Sequence, residues 1–140
     1  MKILKWPLRL LPFIYMALIW MMSSLPSNQF VELPASDVDH FMKESLHLIE
    51  FGILYMLFVV AVLSTGRELT PRLNMVLALI SILYGLTDEI HQSFYPYRSS
   101  TLIDFVKDTI GVSVGYFFVS RALFRGKFVR LQKVLELFKA

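Results

Sequence analysis

Four apolar stretches, each bounded by charged or turn-forming residues, organise the chain. The first covers about residues 8–25, within a run from Leu10 to Val31 that contains no charged residue. Pro12 falls in its first turns, where a helix tolerates a missing N–H, and Trp6 and Trp20 lie near its ends, as suits a membrane–water boundary. The second stretch, about 46–63, is interrupted only by His47 and Glu50. The third, about 73–90, ends at Asp88–Glu89, and the fourth, about 102–121, carries Asp104, Lys107 and Asp108 in its first two turns. A helix that crosses a bilayer takes roughly 17–25 mostly apolar residues. The pattern therefore predicts an all-α integral membrane bundle of about four transmembrane helices, one domain over residues 1–140. Lys2, Lys5 and Arg9 give the first stretch the outline of a secretory signal. The Ser23–Ser24 region lacks a small-x-small cleavage site, so the segment is expected to be retained.

Beyond the fourth stretch the period changes. Phe124, Phe128, Leu131, Leu135 and Phe138 recur at spacings of four and three, while Arg125, Lys127, Arg130 and Lys133 fill much of the remainder. Residues 124–139 read as a C-terminal basic amphipathic helix lying on the inner leaflet and attracted by anionic lipid.

Composition supports a membrane setting. Hydrophobic residues make up 56% of the chain and charged residues 18%, against about 45–50% and 25% in soluble domains. The net charge of +3 is unevenly placed. Lysine and arginine precede the first stretch, recur at Arg67 and Arg72 between the second and third, and crowd the chain from Arg121 onwards. The other two connections hold Lys43 and Arg98, whereas Glu32, Asp37, Asp39 and Glu44 gather in the first of them. The positive-inside rule then gives a multi-pass protein with both termini cytoplasmic. Cysteine is absent, which excludes disulfides, thiolate chemistry and Cys-ligated metal centres. The basic residues flank spans and have no soluble domain to organise them, so nucleic acid is not an expected partner.

Ionisable residues inside a membrane usually face the bundle interior or a water-filled cavity. Here they form three sets on one side. Lys43, His47 and Glu50 share a face of the second helix; Asp88, His91 and Gln92 share one at the end of the third, with Glu89 beside them; Asp104, Asp108, Gly111 and Gly115 form a row on the fourth. The glycines predict a close helix–helix approach, with Asp104 and Asp108 opening into a polar chamber above it. The plain structural reading is that Lys43, Arg98 and Lys107 pair with these acids and fix how helices dock. Five carboxylates (Glu50, Asp88, Glu89, Asp104 and Asp108) outnumber those three cations. The surplus points to a bound cation, protonated acids or a cationic substrate group. Phe94, Tyr95 and Tyr97 add aromatic surface beside Arg98, which would contact an anion or form a structural ion pair.

The run Asp88-Glu89-Ile90-His91-Gln92-Ser93-Phe94-Tyr95-Pro96-Tyr97-Arg98, followed by Asp104, Asp108, Gly111 and Gly115, closely resembles the signature of the VanZ-like family. His47-Leu48-Ile49-Glu50-Phe51, preceded by Lys43, is similar to that family's H-x-x-E-aromatic element. The resemblance covers about residues 36–119; Tyr97 departs from it, standing where many members have glycine. What it implies is a multi-pass protein of the bacterial cytoplasmic (inner) membrane that acts at the cell envelope. The founding member is associated with resistance to the glycopeptide antibiotic teicoplanin, and no settled reaction comes with the family.

Three function classes fit these residues. The first is an envelope protein that binds a lipid-linked precursor or lipophilic glycopeptide at the outer leaflet, with Lys43, Gln92, Phe94, Tyr95, Tyr97 and Arg98 as ligand contacts. The second is an intramembrane hydrolase or transferase whose acid–base candidates are His47, Glu50, Asp88, Glu89, His91, Asp104 and Asp108. A divalent cation held by some of His47, Glu50, His91, Asp104 and Asp108 would make it metal-assisted, although H-x-x-E reverses the Glu-x-x-His order of metal-binding bundles. The third is a small proton- or cation-coupled transport component, which at this size requires an oligomer.

Overall fold

Proline and threonine set where the helices begin. The computed structural model describes residues 5–25, 36–96 and 101–139, the side chains of 36–44 and of His47 excepted. A short 3-10 turn at Pro7–Arg9 leads into α1, Leu11–Ser23, whose second residue is Pro12. The second helix, α2, runs from Ser36 to Ser64. The third, α3, spans Pro71–Ser93; Pro71 sits in its first turn and the Thr70 hydroxyl accepts from the Leu73 N–H at 3.1 Å. The fourth, α4, covers Leu102–Phe124 and opens on a capping box between Thr101 and Asp104. The chain then turns through Gly126 (φ +64°) and Phe128 (φ +56°) into α5, Val129–Leu137. There is no strand among the described residues.

The bundle is held most extensively by α2 against α4, and the reason is glycine. A Cβ on Gly52 would meet the Gly111 carbonyl oxygen at 3.0 Å, and one on Gly111 would overlap the Leu48 carbonyl oxygen. One turn on, a Cβ on Gly115 would lie 3.1 Å from the Tyr55 ring. The expected Gly111/Gly115 approach is therefore present, and Gly52 is its counterpart on α2. Around it pack Phe51, Leu54, Tyr55, Val59, Leu77, Val112 and Val119.

The outward surface is apolar. On α3 the inner face carries Asn74, Ser81, Gly85, Asp88 and Gln92, whereas Met75, Leu79, Leu83, Leu86 and Ile90 point out. This reverses the arrangement of a soluble helix and suits a lipid surround. By length and composition one described helix, α3, is long and apolar enough to cross a bilayer; α1 and the apolar part of α2, Leu48–Ser64, are shorter.

Three boundaries differ from the sequence pattern. The helix containing the second apolar stretch begins at Ser36, about ten residues early, because apolarity marks only its core. The fourth helix extends to Phe124, and the terminal helix starts at Val129, because Gly126 and Phe128 adopt left-handed backbone. The terminal helix also uses its apolar stripe differently from the expectation. Leu135 is buried and Leu131 packs against the core, so these two face the bundle, whereas Phe124 and Phe128 are exposed.

A methyl group at Gly111 meets backbone rather than a movable side chain. Gly111→Ala should therefore destabilise the folded protein by about 2 kcal/mol or more, and Gly115→Ala, which presses on a ring able to rotate, by less. Thermal unfolding in detergent measures both; an unchanged midpoint for Gly111→Ala would remove the close approach as the organising contact.

Candidate functional site

The end of α3 farthest from the α2–α3 turn gathers the polar residues. Asp88 is fully buried, and both of its oxygens receive donors. The Ser23 hydroxyl, from the last turn of α1, donates to Oδ1, and Gln92 Nε2, one turn along α3, donates to Oδ2 at 2.7 Å. Gln92 Nε2 also lies 3.5 Å from the Ser23 oxygen, closing a three-residue cluster between two helices. Burial of a carboxylate requires such donors, since an unsatisfied one loses its hydration without replacement.

An aromatic stack lies beside the cluster. The Trp20 and His91 rings are parallel, 3.7 Å apart between centroids with 12° between planes, and Tyr95 meets His91 edge-on at 5.2 Å. His91 Nε2 stands 3.4 Å from the Ser24 hydroxyl, whereas its buried Nδ1 has no hydrogen-bond partner among the described residues. Trp20 is 40% exposed, so one edge of the stack lies at the surface, and Phe94 nearby in sequence is 77% exposed.

The other acids are divided by the helices. Glu89 is buried next to Asp88 in sequence, and Asp108 is buried against Gly85, where a Cβ on the glycine would stand 3.3 Å from the Asp108 Cβ. Asp104 is drawn into the capping box, accepting from the Thr101 hydroxyl at 2.9 Å, so it serves the start of α4. Glu50 is half-buried, and its backbone carbonyl accepts from the Tyr15 hydroxyl at 3.2 Å. The side chains of Lys43 and His47, and Tyr97 and Arg98 altogether, lie outside the described residues. Among the described residues no group of three or more His, Asp or Glu side chains is placed to hold a metal ion.

Sequence reasoning missed Ser23, Ser24 and Gly85, and it assigned Trp20 to the interface without its histidine partner. A signal for the first two existed. An inward N-terminus puts the end of the first apolar stretch on the same side as the end of the third, so small polar residues there face Asp88 and His91. For Gly85 the signal is its spacing of three from Asp88, which places both on the buried face of α3.

Arranged this way, the site holds a buried acid between two fixed protein donors, with the Trp20, His91 and Tyr95 rings beside it. Ser23→Ala removes one donor and should destabilise the fold by about 1–3 kcal/mol. In a double-mutant cycle with Asp88→Asn, read by thermal unfolding, the two losses should not add; full additivity would deny the Ser23–Asp88 contact.

Comparison with curated proteins gives no match, and comparison with solved structures gives none either. A family model does match: the one described as VanZ/LLP1, over residues 3–125, a range that includes every described residue of α1 to α4 and the whole polar site. By that match the chain belongs to the VanZ/LLP1 family.

Proposed function

We propose that this protein crosses the bacterial cytoplasmic membrane four times with both termini cytoplasmic, and acts at the cell envelope by binding a lipid-linked or lipophilic glycopeptide ligand at the extracytoplasmic side. Topology is supported by the outward apolar surfaces of the helices, among them Phe13 and Ile14 of α1, Ile49 and Ile53 of α2, Leu79 and Leu83 of α3, and Ile110 and Val114 of α4. It is supported also by the basic residues Arg9, Arg67, Arg72, Arg121 and Arg125 lying at the end of the bundle remote from Asp88.

The observation that carries the binding reading is the pairing of the Ser23–Asp88–Gln92 cluster with the Trp20–His91–Tyr95 stack. Amide, hydroxyl or amine groups of a ligand would meet the polar cluster, and its sugar or apolar face would lie along the rings. One contact also favours an enzyme of the hydrolase or transferase class. The Ser23 hydroxyl lies on a carboxylate, and a hydroxyl with a base within reach is how a nucleophile is activated. On that reading Ser23→Ala would leave ligand bound and unconverted, whereas on the binding reading no product forms with either residue.

Cells expressing the protein should show reduced susceptibility to teicoplanin relative to vancomycin, and Trp20→Ala/Asp88→Asn at matched membrane levels should abolish the difference. A wild-type protein without effect on either antibiotic would detach the site from glycopeptides.

A further inference from the structure

At the opposite end of the molecule the terminal helix is clamped and its outer face is left open. Leu135 is buried and Leu131 packs on the core, and the Lys5 ammonium donates to the Lys139 carbonyl, so the two terminal segments meet. Arg9 from the 3-10 turn reaches the Ser64 carbonyl at the end of α2 at 3.1 Å. With Leu131 and Leu135 used internally, α5 presents Arg130, Lys133, Val134 and Leu137 on its outer side, all exposed. The turn before it adds Arg125, Lys127 and the exposed rim of Phe128. Glu68 and Glu136 are the countercharges in the α2–α3 turn and in α5.

We propose that this outer face of α5 docks on anionic phospholipid headgroups, with Arg125, Lys127, Arg130 and Lys133 meeting the phosphates and Val134 and Leu137 entering the headgroup boundary. Charge complementarity carries the assignment. Basic side chains flank two apolar ones on a helix that runs on directly from α4, so the bilayer surface is the nearest anionic surface available. A soluble acidic partner would have to displace lipid to reach Val134 and Leu137. The mode differs from that of a free amphipathic helix, which would bury its Leu131/Leu135 stripe in lipid. Here the stripe belongs to the protein, so the helix cannot sink and headgroup charge determines its affinity. The proposal rests on the membrane-spanning reading above and does not depend on what the Asp88 site binds.

Hydrogen exchange on the full chain in nanodiscs tests it, with phosphatidylcholine alone set against a mixture rich in phosphatidylglycerol. Both leaflets then carry the same lipid, so the outcome is independent of orientation. Backbone amides of α5 should exchange more slowly in the anionic mixture, and added salt should reverse this. Arg130→Gln/Lys133→Gln should remove most of the slowing, roughly fivefold for each basic residue. Unchanged exchange across α3 serves as the control that the variant is folded. Exchange in α5 that is the same in both lipids, or a double variant that responds as the wild type does, would overturn the assignment.

Discussion

The approach of two backbones at Gly111 and Leu48 is the contact on which the other positions depend. In lipid, apolar side chains gain little by leaving one hydrocarbon surround for another, so close packing and hydrogen bonds decide which helices meet. The absence of side chains at Gly52 and Gly111 lets the α2 and α4 backbones meet, and Tyr55 then closes over Gly115. Asp108 lies three residues before Gly111 and is carried by this contact to the centre of the bundle, where Gly85 leaves room for it. Small residues thus fix where the acidic ones can be.

The polar interior has two parts. At the basic end the Tyr55 hydroxyl donates to Asn74, whose amide donates to Ser120 at 3.0 Å, linking α2, α3 and α4. At the other end lie Ser23, Asp88 and Gln92. Between them sit Leu54, Leu77, Ala78 and Val112, all buried and apolar. A proton or cation path would need polar groups or water through that layer. Ser81 lies in that layer with its hydroxyl donating to the Leu77 carbonyl of its own helix, and one turn on stand the Tyr84 hydroxyl, which donates to the Met16 carbonyl, and buried Asp108 beside Gly85.

Much of this was legible in the sequence because the relevant signals are local. Helical spacing puts Asp88 and Gln92 one turn apart, and Gly111-x-x-x-Gly115 marks close packing; the structure has both. Thr101-x-x-Asp104 spells a capping box, and the structure has one; Asp108, one turn on, follows on the same face of α4. The Trp20–His91 stack and the Gly52–Gly111 contact were not legible. Each joins residues from different helices, and the relative height of two helices is not written in either one.

That height is set for α1 by hydrogen bonds to backbone. Arg9 donates to the Ser64 carbonyl, Tyr15 to that of Glu50, and Tyr84 to that of Met16 at 2.6 Å. Phe13, Ile14, Leu18 and Met21 face outward and would pack about as well one turn up or down. Three donors at three levels break that degeneracy, because a slip of one turn, about 5.4 Å, would separate every pair. Hydrogen bonds between helices in lipid contribute about 0.6–2 kcal/mol each, so together they outweigh an apolar surface that has no preferred register. Only in that register does Ser23 reach Asp88 and Trp20 cover His91. The site at one end of the bundle is thus positioned by polar contacts spread along the whole of α1, and the outward side chains of that helix are free to match the lipid.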